Sequence, residues 1–137
     1  MRVTWDDPLE FVIGRNHPLA EQLKESGGKS VSVKELAAYN AVLPARNTYT
    51  RQILESAFAR TGHHIHTNLS TNYLETIKML VAVGLGWGIL PRTMLTRELL
   101  VINIPRLNLQ RKLGVVWHPK RTLSNAAKVM MELLEEM

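Results

Sequence analysis

Two polar stretches carry the side chains best suited to holding a small ligand: Arg46-Asn47-Thr48 and Ser70-Thr71-Asn72. Each follows an apolar run and leads into a helical pattern. The first amides of a helix have no partner within it, so they face whatever lies beyond the helix start. Together with hydroxyl and carboxamide side chains they form a site for an anion or carboxylate. The Arg46 guanidinium can add charge-assisted hydrogen bonds. The same residue types are also ordinary helix caps, and the two readings stand level on these residues alone.

Other reactive residues point away from chemistry. His63, His64 and His66 are clustered. On a strand His64 and His66 share a face and can chelate a divalent metal. No nearby Cys or Asp completes the set, so exposed histidines are the better reading, and neither a metal site nor a cofactor is expected. Gly84-Leu85-Gly86-Trp87-Gly88 has the look of a dinucleotide loop, but it follows a helix and enters a strand. A true fingerprint runs the other way, so that a helix N-terminus faces the phosphates. A tight helix-to-strand turn is the better reading. Asp6 and Asp7 are adjacent and fall on opposite faces of an extended chain, which is no paired-carboxylate site. The sequence holds no Gly-x-Ser-x-Gly elbow, no His-Glu-x-x-His pair and no phosphate-loop lysine. An enzyme is not expected.

The elements that must position these residues alternate between strand and helix. Leu9–Ile13 reads as a strand ended by Gly14, and Glu21–Ser30 as a polar surface connection. Ser32-Val33-Lys34-Glu35 is a capping box that opens a short helix. Asn40–Leu43 is a strand stopped by Pro44. A helix follows from about Thr48 to Arg60, with Ile53, Leu54, Ala57 and Phe58 on one face. His63–Thr67 alternates as a strand does. The next helix runs from about Tyr73 to Val83, with Asn72 as its cap and Leu74, Ile77 and Val81 as its buried stripe. Trp87–Leu90, Leu99–Ile104 and Leu113–Trp117 are further strands. Ser124 caps a last helix whose apolar stripe is Ala126, Met130, Leu133 and Met137. This alternation predicts an α/β fold with a mostly parallel sheet. Ligands of such sheets bind beyond the carboxyl ends of the strands, which is where both polar stretches fall.

Composition narrows the class further. The 137 residues suffice for one domain with a real core. The net charge of +5 is dispersed, so it reads as a solvated surface rather than a nucleic-acid arm. Its densest cluster, Arg111, Lys112, Lys120 and Arg121, flanks an apolar segment, as charges at strand ends do. No apolar run reaches the roughly 18 residues of a membrane span. There is no secretory leader pattern and no cysteine. A cytoplasmic location without membrane contact is expected.

In order, these pieces resemble the effector-binding region of LysR-type transcriptional regulators. The match is carried by Asp7-Pro8-Leu9 through His17-Pro18-Leu19-Ala20, by Val31–Ala37 and by the Arg51–Gly62 helix. Its most specific part is Leu80-Val81-Ala82-Val83-Gly84-Leu85-Gly86-Trp87-Gly88-Ile89-Leu90-Pro91. The resemblance implies Rossmann-like lobes of the type 2 periplasmic-binding-protein kind, with a small-molecule effector between them. It implies that residues 1–14 are a strand crossing from the first lobe, 15–111 the second lobe, and 112–137 a return into the first. The effector contacts on this lobe would be Arg46, Asn47, Thr48, Ser70, Thr71 and Asn72. Promoter DNA would be reached only through an N-terminal helix-turn-helix domain outside this chain. The resemblance implies dimers in which a helix and a strand of this lobe pack on the other lobe of the partner. The matching surface here is Arg51–Arg60 together with His63–Thr67, and self-association is expected. The stripe of the last helix, and a strand at Leu113–Trp117 that lacks its usual neighbours and leaves an unpaired edge, would add to it. A solute-binding lobe of a periplasmic-type transport protein is the alternative.

Overall fold

The computed structural model describes residues 2–25, 27–28, 30–116 and 124–136. The elements are β1 (Arg2–Gly14), α1 (Pro18–Glu25), α2 (Val33–Ala37), β2 (Ala41–Leu43), α3 (Tyr49–Ala59), β3 (Thr67–Ser70), α4 (Leu74–Ala82), β4 (Gly88–Pro91), β5 (Leu99–Ile102), β6 (Leu109–Val116) and α5 (Asn125–Glu135). β2 and β3 pair in parallel, and a parallel bridge from Ala41 to Trp87 joins them to β4. β1 then pairs antiparallel with β4 on one side and with β5 on the other. The order is therefore β3-β2-β4-β1-β5. Four of these strands run one way, as the alternation predicts, and β1 alone runs against them.

Side chains alternate across this sheet. Phe11 and Ile13 of β1, Leu43 of β2 and Ile89 of β4 meet Leu19 of α1, Leu36 of α2, and Leu54 and Phe58 of α3. Val12, Val42, Leu90 and Leu99 face the other way, onto Ile77 and Val81 of α4. Trp87 sits at the centre of the first layer, stacked on Phe58 with ring centroids 5.8 Å apart. The α4-to-β4 turn explains its glycines. Gly84 has φ of 91°, which a side chain disfavours. A Cβ on Gly86 would stand 2.6 Å from the Asn40 carbonyl oxygen. The segment is thus the tight, closely packed turn read from its sequence.

Five expectations are corrected. The stretch from Glu21 is not all connection, because α1 extends to Glu25 with Leu19, Ala20 and Leu23 buried. Pro18 suits the first helical position, and the apolar residues that mark the helix lie mostly upstream of the polar ones. His63–Thr67 is not a strand: β3 begins at Thr67 and its ladder to β2 fixes that register. Its polar residues, Thr67, Asn68 and Ser70, have no apolar alternation to reveal them. Asn72 does not cap α4, whose cap position is Tyr73. Leu113–Val116 does not lack a neighbour, because β6 pairs with β1 from Arg2–Val116 to Leu9–Leu109, while its other edge has no ladder among the described residues; Trp117 lies outside the described residues. Finally, α5 turns a different face inward. Met131 is buried, while Met130 and Leu133 are exposed and Met137 lies outside the described residues. Residues 127, 131 and 134 are also apolar, so periodicity does not choose between the two stripes.

His17 leads into α1 as a cap does: its ring Nδ1 accepts a hydrogen bond of 3.0 Å from the Leu19 N–H. The ring is buried against Tyr39, edge to face, with centroids 5.0 Å apart. Burial lowers its pKa below the usual 6.5. On acidification the unfolded chain takes up this proton first, so His17 destabilises the fold as pH drops through 6.5 and below. Urea midpoints should therefore fall between pH 7 and pH 5. In His17→Asn, which keeps an acceptor at the cap, the fall should be smaller. Equal slopes in the two proteins would remove this role from His17.

Candidate functional site

The parallel pairing of β2 and β3 brings the two polar stretches side by side. Both leave the carboxyl ends of neighbouring strands, and two bonds tie them together. The Thr71 N–H donates to the Leu43 carbonyl at 3.1 Å. The Ala45 N–H donates to Asn72 Oδ1 at 3.0 Å. Asn72 thus holds the neighbouring loop instead of capping its own helix.

The six residues differ in how far their polar atoms are already used. Thr48 caps α3: its Oγ1 accepts from the Arg51 N–H at 3.2 Å and donates to the Ala45 carbonyl at 2.7 Å. Thr71 Oγ1 accepts from the Tyr73 N–H at 3.3 Å and keeps its own proton to donate. Ser70 and Asn47 are exposed, and their side chains hold no partner among the described residues. Arg46 is exposed and unpaired among the described residues. It stands at a groove along α3 with Gln52, Glu55 and His64, and no hydrogen bond ties it to the Ser70–Asn72 loop. The Tyr49 and Thr50 amides in the first turn of α3 also hold no acceptor among the described residues. So do those of Leu74, Glu75 and Thr76 in α4. Two sets of free N–H groups therefore open next to the same pair of strand ends, where an anion gains most from them.

A buried arginine and an ion pair anchor this region, and sequence reasoning gave none of the three residues this role. Arg51 is only 2 % exposed. Its guanidinium donates to the Pro44 carbonyl at 2.9 Å, Thr67 Oγ1 at 3.1 Å and Glu55 Oε1 at 2.9 Å. It thereby fixes the end of β2, the start of β3 and α3 in one arrangement. A lone arginine on a helical stripe resembles a surface residue, so nothing in the sequence marks it. Asp7 and Arg111 face each other across the β1–β6 ladder, with an ion pair of 2.6 Å. Arg111 Nη1 also reaches Thr50 Oγ1 at 3.5 Å. This links the ribbon to the first turn of α3. The two residues are 104 apart in sequence, so only the ladder brings them together.

The histidines do not gather a metal set: among the described residues no cluster of three His, Cys, Asp or Glu side chains is placed to hold one. Nor is any described helix long and apolar enough to cross a membrane.

Compared with known proteins, all of residues 1–137 match the family described as the LysR substrate binding domain. The chain is 26 % identical over 134 residues to the RuBisCO operon transcriptional regulator of Acidithiobacillus ferrooxidans, covering 94 % of this chain and 41 % of that protein. It spans about two fifths of the length of the curated relatives it matches. Among solved structures, the CcmR regulatory domain of Synechocystis in complex with 2-PG aligns with a TM-score of 0.78 at 22 % identity, over 98 % of this chain and 66 % of that one. The effector binding domain of QuiR in complex with shikimate aligns with a TM-score of 0.72 at 19 % identity, over 97 % and 63 %.

Proposed function

We infer that this chain, which belongs to the LysR substrate binding domain family, is the effector-sensing and self-associating part of a bacterial, cytoplasmic LysR-type regulator. The family favours this reading over a transport protein, and its members are transcriptional regulators rather than enzymes. In this reading residues 1–14 cross from a first lobe, 15–111 form the second lobe and 112–137 return to the first. Promoter DNA is bound through a separate domain of the longer protein. The second lobe associates with another copy through Arg51–Arg60 and His63–Thr67.

The effector is a small molecule with an anionic group. The observation that carries this is the joining of two loops with free helix-start amides at adjacent strand ends. The Tyr49 and Thr50 amides receive the anionic group. Ser70, Thr71 and Asn47 hold hydroxyl or ring substituents, Thr48 and Asn72 fix the loops, and Arg46 adds charge. The complexes of CcmR with 2-PG and of QuiR with shikimate support a small polar ligand. In the full-length regulator, Thr71→Ala and Arg46→Ala should each weaken effector binding by about 1–3 kcal/mol. Calorimetry measures this, and unchanged affinity in both variants would move the site elsewhere.

A further inference from the structure

A second cleft, of about 710 Å³, lies between the start of α2, the end of α3 and the β5–β6 connection. It shares no residue with the Arg46–Thr48 or Ser70–Asn72 loops. Lys34, Arg60, His63 and Arg106 line it, and no carboxylate does. Among the described residues the Lys34, Arg60 and Arg106 side chains form no ion pair and no hydrogen bond. Three cations without partners among the described residues thus border one concavity from three parts of the fold.

Arg106 is held there against backbone preference. The Leu107 N–H donates to the Ile104 carbonyl at 3.1 Å, closing a turn over Ile104-Pro105-Arg106-Leu107. Arg106 has φ of 70° and is the described non-glycine residue with positive φ. A proline second and a positive φ third define a type II turn, whose third position prefers glycine. An arginine at the strained position of a turn that rims a cleft points to a role for its charge.

We propose that this cleft binds a small organic anion bearing a phosphate group, at a site separate from the strand-end one. Two guanidinium forks match phosphate geometry, and Lys34 adds a third charge. Val33, Ala57, Pro105 and Leu107 supply apolar wall for the organic remainder. A concave cleft of this size suits a small molecule, whereas a nucleic-acid backbone is tracked by a basic stripe.

The probe is inorganic pyrophosphate, titrated into the isotope-labelled chain at fixed ionic strength, with chloride as the control. Ala57, Arg60 and His63 belong to the surface assigned to self-association, so the titration is made where sedimentation shows a monomer. Saturable amide shifts should centre on residues 32–34, 60–63 and 105–108. Arg106→Gly puts the preferred residue in the turn while removing the guanidinium, so it keeps the fold. It should weaken pyrophosphate binding roughly tenfold or more. Arg46→Gln, at the effector site, should leave the shifts of residues 32–34, 60–63 and 105–108 as they are and change at most any shifts at the strand-end loops, which separates the two sites. Shifts that spread over all the surface cations without saturating, or that persist in Arg106→Gly, would overturn the proposal. So would a short DNA duplex that shifts these amides where pyrophosphate does not.

Discussion

Replacing Trp87 by alanine should lower the folding stability of this chain by about 3–5 kcal/mol, a large share of what a single domain holds in reserve. Trp87 is fully buried. Its ring lies parallel to Phe58 of α3 and 5.9 Å from Phe11 of β1. The indole N–H donates to the Tyr39 carbonyl at 3.1 Å. The main chain of the same residue donates to Asn40 at 3.1 Å and accepts from Val42 at 2.8 Å. One residue therefore joins β2, β4, β1 and α3. Trp87→Phe keeps an aromatic ring and leaves the Tyr39 carbonyl without its donor, so it should cost less, about 1–3 kcal/mol. Denaturant unfolding of both variants checks the order. A loss below about 1 kcal/mol for Trp87→Ala would mean that the stack is not what holds the layers together.

The second large effect is expected at the ribbon. Arg111→Met should cost about 3–5 kcal/mol, because it leaves the Asp7 carboxylate, 6 % exposed, without its counter-charge. Adding Asp7→Asn should return part of that loss, since a neutral side chain is cheaper to bury than an unpaired charge. A thermodynamic cycle over the two single variants and the double variant measures the coupling. Strict additivity would show that the pair contributes nothing beyond its separate members. The link from Arg111 to Thr50 gives the pair a second meaning, because it joins the ribbon to the first turn of α3.

The parts that were legible in the sequence are those where local chemistry and tertiary structure agree. Ser32 and Glu35 form the capping box their spacing announces. Thr48 caps α3 with its hydroxyl on the Arg51 amide. The glycines from Gly84 onward form a packed turn and not a nucleotide loop. Both polar loops lie at carboxyl ends of parallel strands, as the alternation of elements requires. What escaped depends on partners far along the chain. β3 is polar and exists through its pairing with β2. Asp6–Pro8 of β1 and Gln110–Lys112 of β6 are too polar to read as strands, and each segment is the other's partner. Arg51 and Asp7 look like surface charges until the fold surrounds them. The face of α5 is set by β1 and not by its own periodicity.

β1 is one unbroken strand with two mechanical lives. From Leu9 to Gly14 it is clamped between neighbours in the middle of the sheet, while from Arg2 to Pro8 it is paired with β6 alone. No loop separates the two halves, so there is no flexible joint at which the ribbon could swing freely. Sliding one strand along the other would break a run of hydrogen bonds at once, whereas a two-stranded ribbon accepts a wide range of twist. The ribbon is therefore stiff to shear and soft to torsion. A load applied at its Arg2–Val116 end reaches the sheet as a rotation about the axis of β1, passing Asp7, Arg111 and the first turn of α3 on the way.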